Sequence, residues 1–202
     1  MNMQSLSPRQ LARAPCVSDD RAATAPPEVH SQETTSDELT MADIKFGASS
    51  SGSCFRLEAN QFLPQPRERI FEFFSDACQL ENLTPGWLSF SVLTPRPIRV
   101  VTGTIIDYRL KLHGIPLRWQ SEISLWEPPL RFADRQIRGP YRRWHHEHSF
   151  EPVQGGTLCH DIVEYDVIGG KPIHAVFVKP DLVKIFSYRQ ERLAQIFGRS
   201  KR

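Results

Sequence analysis

The sequence lacks the features that mark several large classes of protein. It has no strong charge bias, because 25 Lys and Arg residues face 23 Asp and Glu residues, for a net charge of +2 over 202 residues. Nucleic-acid-binding domains usually carry a basic patch or stripe, so we expect no nucleic-acid partner. No apolar run approaches the roughly 18 residues of a membrane span, and the N-terminus shows no contiguous apolar core of a secretory signal.

Cysteine is scarce, and no pair has the C-x-x-C spacing of a zinc or redox site. The four cysteines lie far apart, at Cys16, Cys54, Cys78 and Cys159. This pattern predicts free thiols in a reducing compartment, which favours a cytoplasmic protein. The sequence also has no phosphate-binding loop, dinucleotide fingerprint or nucleophile elbow, so we expect no cofactor. Nothing in it indicates the oligomeric state.

The chain divides into a long leader, one domain and a short tail. Residues 1–52 are rich in Ser, Thr, Ala, Pro and Asp, and their apolar residues follow no period. Such a segment buries too little apolar surface to offset the entropy lost on ordering, so we predict that it is disordered. Residues 53–198 are then a single domain, and residues 199–202 are a basic tail.

Apolar periodicity predicts the first elements of the domain. Phe55, Leu57 and Ala59 alternate with polar neighbours, which is typical of a half-buried strand. Apolar residues then recur at helical spacing over 70–83, and Asp76 lies in the middle of this stretch. We therefore predict two short helices after the first strand.

The period changes to two from residue 87 onward. Six candidate strands follow over 87–168, and the turns between them are so short that neighbouring strands must be antiparallel. Helical spacing returns over 182–197 and indicates a long amphipathic helix that ends at Gly198. Pro180 is expected to delay the start of this helix or to kink it. One sheet of about seven strands needs a partner for its apolar face, and this helix is the one candidate of sufficient length.

This order of elements resembles the helix-grip fold of the START-like, or SRPBCC, superfamily of ligand-binding and polyketide-cyclase-like proteins. The resemblance covers about residues 54–198. The sequence is similar in particular to bacterial ligand-binding SRPBCC domains related to the N-terminal part of some cell-division-inhibitor proteins. Three stretches carry this similarity: LHGIPLRWQSEI, WEPPLRFADRQIRGPYRRWHHEHSFEPVQGGTL and IFSYRQERLAQIFG. The resemblance implies an α+β fold with a cavity between a curved antiparallel sheet and the C-terminal helix. It also implies a hydrophobic small molecule or lipid as ligand, but no particular substrate or catalytic residue.

Alternation also predicts which side chains face that cavity. One half of the inner surface is apolar or aromatic, and we expect it to contact the body of a ligand. Its predicted members are Tyr108, Leu110, Leu117, Trp119, Ile123, Trp144 and Phe186, and alternation turns Leu125 inward as well, although it is not among the predicted contacts. The other half is polar, and its predicted members are Asp134, Gln136, His146, His148, Asp161 and Tyr165.

The stretch HHEH is the most conspicuous part of the polar half. Trp144 and Phe150 fix the register of its strand, because a slip of one residue would expose both large apolar side chains. This register turns His146 and His148 inward and leaves His145 outside. A β-bulge between Trp144 and Phe150 would break the assignment.

Several interpretations of the polar half remain open. It is a buried network with a structural role, or it recognises the polar group of a mostly apolar ligand. A third interpretation makes His146 or His148 a general acid or base that Asp161 or Asp134 orients. A fourth makes His146, His148 and Asp161 metal ligands, but His-x-His is common on strands without metal, and we predict no metal site.

These features predict a carrier, a sensor or a sequestering protein for a hydrophobic small molecule. The alternative is a cyclase- or dehydratase-type enzyme, with His146, His148 and Asp161 as the catalytic candidates. A module that binds only other proteins is a third hypothesis, which a co-purifying organic ligand would separate from the first.

Overall fold

The computed structural model describes residues 43–48 and 54–198. Its strands are β1 (Asp43–Ala48), β2 (Phe55–Leu63), β3 (Ser91–Val92), β4 (Ile105–Leu112), β5 (Ile115–Glu127), β6 (Arg131–Arg138), β7 (Arg143–Val153) and β8 (Gly156–Asp166). Helix α1 (Arg67–Ser75) and 3-10 turns at Ala77–Glu81 and Gly86–Leu88 connect β2 to β3. The C-terminal helix consists of α2 (Gly170–Ile173), a π-helical turn (His174–Val178) and α3 (Lys179–Phe197).

The strands form one curved, open antiparallel sheet in the order β1-β2-β8-β7-β6-β5-β4-β3. The long C-terminal helix packs against this sheet through buried apolar side chains. The predicted α+β helix-grip fold is therefore confirmed. The sheet has eight strands rather than about seven. The additional strand is β1, which pairs with the first six residues of β2.

Strand β1 lies in the stretch that was predicted to be disordered, so that prediction is wrong for Asp43–Ala48. Ile44 and Phe46 alternate on this strand and pack against the cluster that contains Leu57 and Tyr165. Two apolar residues are too short a pattern to indicate a strand without knowledge of the neighbouring one. The other residues of the predicted leader, and the basic tail, lie outside the described residues.

The segment between β2 and β4 confirms one prediction and corrects another. The two short helices are α1 and the 3-10 turn Ala77–Glu81, and the Asp76 carboxylate between them accepts a 2.9 Å hydrogen bond from the Cys78 amide. The strand predicted to start at Trp87 is wrong over most of its length. Ser89 adopts a φ of 45°, which turns the chain, and pairing is limited to Ser91–Val92.

The C-terminal helix accommodates Pro180 in an unexpected way. Helical structure already begins at Gly170, and the π-helical turn directly precedes the regular helix that carries Pro180 in its first turn. Proline has no N–H, and its ring crowds the carbonyl four residues earlier. A wider π turn at that place removes the requirement for regular α-helical hydrogen bonds.

Three groups of buried side chains form the core between the sheet and the helices. One group, around Ile70, Phe132 and Phe197, joins α1 to the end of α3. A second group joins β2 and β8 to the beginning of α3, and a third lies on β4 and β5. Members of all three groups line the cavities described next.

Candidate functional site

Two adjacent cavities lie between the sheet and α3. The larger has a volume of about 180 Å³ and the smaller about 70 Å³. They share one wall, which consists of Leu80, Tyr108, Asp134, His146 and Arg189. The cavities are therefore two parts of one site, joined where polar side chains are concentrated.

The larger cavity is mainly apolar and aromatic. Strands β4 and β5 place Leu110 and Trp119 on one side, β7 contributes Trp144, and α3 covers them with Leu182 and Phe186. The Trp119 and Trp144 rings pack edge to face, with 5.4 Å between their centroids. Walls of this kind suit the apolar body of a small molecule.

The polar centre of the site is a group of two histidines and an aspartate on neighbouring strands. His148 on β7 lies directly opposite Asp161 on β8, and its Nδ1 makes a short hydrogen bond to that carboxylate. His146 Nε2 lies 3.5 Å from the same carboxylate oxygen, without the geometry of a hydrogen bond. The centroids of the two imidazole rings are 3.9 Å apart, and both residues are at least nine-tenths buried.

The pKa values of all three groups in this centre lie below their usual values, for different reasons. Burial lowers the pKa of His146 to about 4, and the neighbouring His148 adds to the effect. It also lowers the pKa of His148, although Asp161 opposes the change. Burial would raise the pKa of Asp161, but the charge of Arg189, the hydrogen bond from His148 and the nearby His146 together hold it well below its usual value. The carboxylate is therefore the ionised member of the group near neutral pH.

Asp134 differs from Asp161 although the two lie in the same region. It faces His146 across the β6–β7 pairing and lines both cavities. Burial raises its pKa, against the effects of His146 and Arg189. Two carboxyl groups in one site thus have pKa values shifted apart.

The register argument for HHEH agrees with the structure. Pairing between β7 and β8 continues without a bulge from Trp144 to Phe150. His146 and His148 line the cavities, whereas His145 lies on the other face of the sheet and lines neither. Of the residues predicted to contact a ligand, the structure brings nine to the cavity walls: Tyr108, Leu110, Trp119, Ile123, Asp134, Trp144, His146, His148 and Phe186.

Four other predicted contact residues line neither cavity. Gln136 instead bonds to the backbone of Tyr141, with 2.7 Å from its Nε2 to the carbonyl oxygen, and so closes the β6–β7 turn. Tyr165 is fully buried, and its hydroxyl lies 2.9 Å from His174 Nε2. Asp161 lies behind His148, whose Nδ1 it bonds, and Leu117 lies in the half-exposed part of β5 near the β4–β5 hairpin. Their predicted role as direct contacts is therefore corrected, because none of the four lies on a cavity wall.

Two important residues of the site were not predicted. A bulge at Ser124 shifts the pairing of β5 with β6, so Trp126 turns inward and packs 5.6 Å from Phe132. The prediction that Leu125 faces the cavity rested on unbroken alternation and is wrong for this reason. Arg189 was missed because it is charged, although its position, one turn after Phe186 on α3, places it on the same helix face.

The arrangement offers three potential metal ligands, because ligand atoms of His146, His148 and Asp161 lie within 4.8 Å of one another. Two imidazoles and a carboxylate suit a first-row transition metal. Two features oppose a divalent cation there. The Nδ1 of His148 already bonds Asp161, and the Arg189 guanidinium adds a positive charge to the same site. The absence of a metal stays a prediction.

The sequence matches a family model described as polyketide cyclase / dehydrase and lipid transport, over residues 63–193. The chain belongs to this family. It is accordingly a member of the SRPBCC superfamily that the sequence resembles. The matched range includes every strand from β4 to β8, α1 and most of α3, so it contains the whole candidate site.

Solved structures support the fold. Protein Ms6760 from Mycobacterium smegmatis is 15% identical, with a TM-score of 0.55 over 76% of this chain and 97% of its own. Protein CV1439 from Chromobacterium violaceum is 15% identical, with a TM-score of 0.57 over 71% and 96%. Ginseng major latex-like protein 151 from Panax ginseng is 11% identical, with a TM-score of 0.55 over 72% and 99%. At these identities the similarity establishes the fold alone.

No curated protein sequence matches the chain. Within the part of the chain that the structure describes, each helix is too short or too polar to cross a bilayer.

Proposed function

We propose that the protein binds a hydrophobic small molecule or lipid in the two-part cavity, as a carrier, a sensor or a sequestering protein. The observation that carries this proposal is the larger cavity, which is lined mainly by apolar and aromatic side chains and covered by α3. Membership of a family described by polyketide cyclisation and lipid transport supports it.

The size of the apolar wall suggests the affinity that an experiment must detect. Removing apolar surface from water contributes about 25 cal/mol per Å². A two-ring molecule that buries about 250 Å² would gain about 6 kcal/mol before the costs of association. Without those costs the gain corresponds to a dissociation constant on the order of 10 to 100 μM, so simple apolar probes should bind no more tightly than this.

A titration with the neutral dye N-phenyl-1-naphthylamine tests the proposal. Leu110→Trp on β4 should fill part of the larger cavity and weaken dye binding by at least about tenfold. Ile105→Trp is the matched control, because Ile105 lies on the same strand, points outward and is 47% exposed. Equal binding by both variants, or no binding by the unmodified protein, would contradict the proposal.

Acid–base catalysis is a second candidate function, and the His148–Asp161 hydrogen bond favours it. A buried carboxylate bonded to Nδ1 fixes the orientation of an imidazole, which is how a general base is positioned. His148 also lines the smaller cavity, beside His146 and Asp134. A bound carbonyl compound would then lie near groups that can exchange protons with it.

Hydrogen–deuterium exchange into a bound ketone tests this candidate without knowledge of the natural substrate. In D₂O, the protein should accelerate exchange of the α-hydrogens of 2-acetonaphthone, followed by NMR. His148→Phe should abolish the acceleration and preserve binding of the ketone. An exchange rate equal to that in buffer alone would eliminate this use of the site.

A further inference from the structure

Three buried polar atoms in the site have no hydrogen-bond partner within the described residues: Asp134 Oδ2, His146 Nε2 and Arg189 Nε. All three residues belong to the wall that the two cavities share. Buried polar atoms in proteins are usually paired, so a cluster of unpaired ones beside a cavity indicates a missing partner. These three atoms point to the place where the polar group of a ligand binds.

Arg189 is the most informative member of this group. Its residue is 9% exposed, its guanidinium lies over the ring of Phe74 at 5.4 Å, and its Nε donates no hydrogen bond. A guanidinium stays charged in proteins and can only donate hydrogen bonds. A buried cation of this kind requires an acceptor, and a planar anion with two oxygens fits its fork best.

The other two residues complement Arg189 in different ways. Burial raises the pKa of Asp134, so this carboxyl opposes a bound anion less than an ordinary aspartate would. A neutral His146 donates from Nε2 in one of its two tautomers. A guanidinium and an imidazole donor on one wall suit a negatively charged group that only accepts hydrogen bonds, and they disfavour an amine.

We propose that the ligand is an amphipathic carboxylate whose carboxylate group accepts hydrogen bonds from Arg189 and His146. This rests on the proposed ligand-binding function. The apolar body of the ligand lies in the larger cavity, between Trp119 and Phe186, and the carboxylate lies at the shared wall. The ionised Asp161 lines neither cavity and accepts the hydrogen bond of His148, so it does not occupy the place of the ligand's carboxylate.

Competition among three naphthalene derivatives for the site tests the proposal. N-phenyl-1-naphthylamine reports occupancy of the larger cavity, and 2-naphthoate, 2-naphthylmethanol and 2-naphthylmethylamine displace it at pH 7. The three competitors share one ring system and differ in the polar group. Half of the dye should be displaced by 2-naphthoate at a concentration about tenfold or more below that required of 2-naphthylmethanol. The amine should be the weakest competitor.

Variants of Arg189 test whether this residue causes the preference for the carboxylate. Arg189→Met keeps the apolar stem and removes the charge, so it should abolish the advantage of the carboxylate while dye affinity changes less than about twofold. Arg189→Lys keeps the charge without the fork and should retain part of the advantage. Arg192→Met is the matched control on the same helix, because Arg192 bonds Gln195 and lines neither cavity.

Equal displacement by the carboxylate and the alcohol would overturn the carboxylate proposal and leave the proposed function intact. This comparison uses the unmodified protein and does not depend on how any variant folds. Retention of the full advantage in a folded Arg189→Met protein would also overturn it. If neither the dye nor any naphthalene binds the unmodified protein, the proposed function fails, and this proposal fails with it.

Discussion

Acidification should destabilise the protein through His146. Burial holds the pKa of this imidazole at about 4 in the folded protein, whereas an unfolded histidine titrates near 6.5. Between these values the unfolded chain binds a proton that the folded protein does not bind. The free energy of unfolding therefore falls as the pH falls from about 6.5 to about 4, and this contribution is constant above that range.

The size of the effect follows from the two pKa values. Each pKa unit corresponds to 1.36 kcal/mol, so the difference between 6.5 and about 4 gives about 3 kcal/mol at pH 4. Other groups nearby also titrate. The pKa of His148 is lowered and adds to the loss, whereas the raised pKa of Asp134 opposes it. The lowered pKa of Asp161 destabilises the protein only below the usual carboxyl value of 3.8.

A comparison with a variant isolates the contribution of His146 from these others. Urea denaturation at several pH values between 7 and 4 gives the free energy of unfolding of the unmodified protein and of His146→Leu. The variant should lose less stability over this range, by up to about 3 kcal/mol. His145→Leu, on the other face of the sheet, should lose as much as the unmodified protein. Identical losses in all three proteins would refute the reasoning.

Three further predictions concern packing, the buried ion and a thiol. Phe186→Ala should lower the free energy of unfolding by about 3 kcal/mol in urea, because a core side chain that is 3% exposed leaves an enlarged cavity. Val183 lies at an exposed position of α3. A loss of unfolding free energy in Phe186→Ala that is smaller than the loss in Val183→Ala would contradict the prediction. Asp161→Asn should lower the free energy of unfolding by about 2 to 3 kcal/mol, because it removes the charge that both imidazoles face. An unchanged urea midpoint would show that the contacts of Asp161 with the two histidines do not stabilise the fold. Burial raises the pKa of Cys159, so its thiol should react with 5,5′-dithiobis(2-nitrobenzoate) only after unfolding, and Cys159→Ser should leave the native reaction unchanged.

Local periodicity was sufficient to predict most of the fold, because strands β4 to β8 and α3 each repeat the pattern of their buried face several times. Strand β1 has only two partly buried residues that pack against the core, Ile44 and Phe46, so its pattern is too short to be recognised. The segment after Trp87 was misjudged because an apolar run of that length fits a 3-10 turn as well as a strand. Both of these errors lie where the pattern is short.

The candidate site shows a different limit of sequence reasoning. His146 and His148 were placed correctly because the large side chains of Trp144 and Phe150 fix the register on both sides of them. Leu125 was misplaced and Trp126 was missed because nothing in the sequence marks the bulge at Ser124. Arg189 was overlooked because a charged residue on an amphipathic helix is usually exposed. That rule fails where a helix covers a polar part of a cavity.

The most direct test of ligand binding in the cavity uses the four tryptophans as separate reporters. Trp119 and Trp144 line the larger cavity and Trp126 lines the smaller one, whereas Trp87 is 46% exposed and lines neither. Their indole N–H resonances can be followed by ¹H–¹⁵N NMR during a titration with N-phenyl-1-naphthylamine, and assigned with Trp→Phe variants. A ligand between the sheet and α3 predicts saturable shifts of the Trp119 and Trp144 signals with an unchanged Trp87 signal. A shift of Trp87 alone, or no shift of Trp119 and Trp144 at saturating dye, would contradict the account.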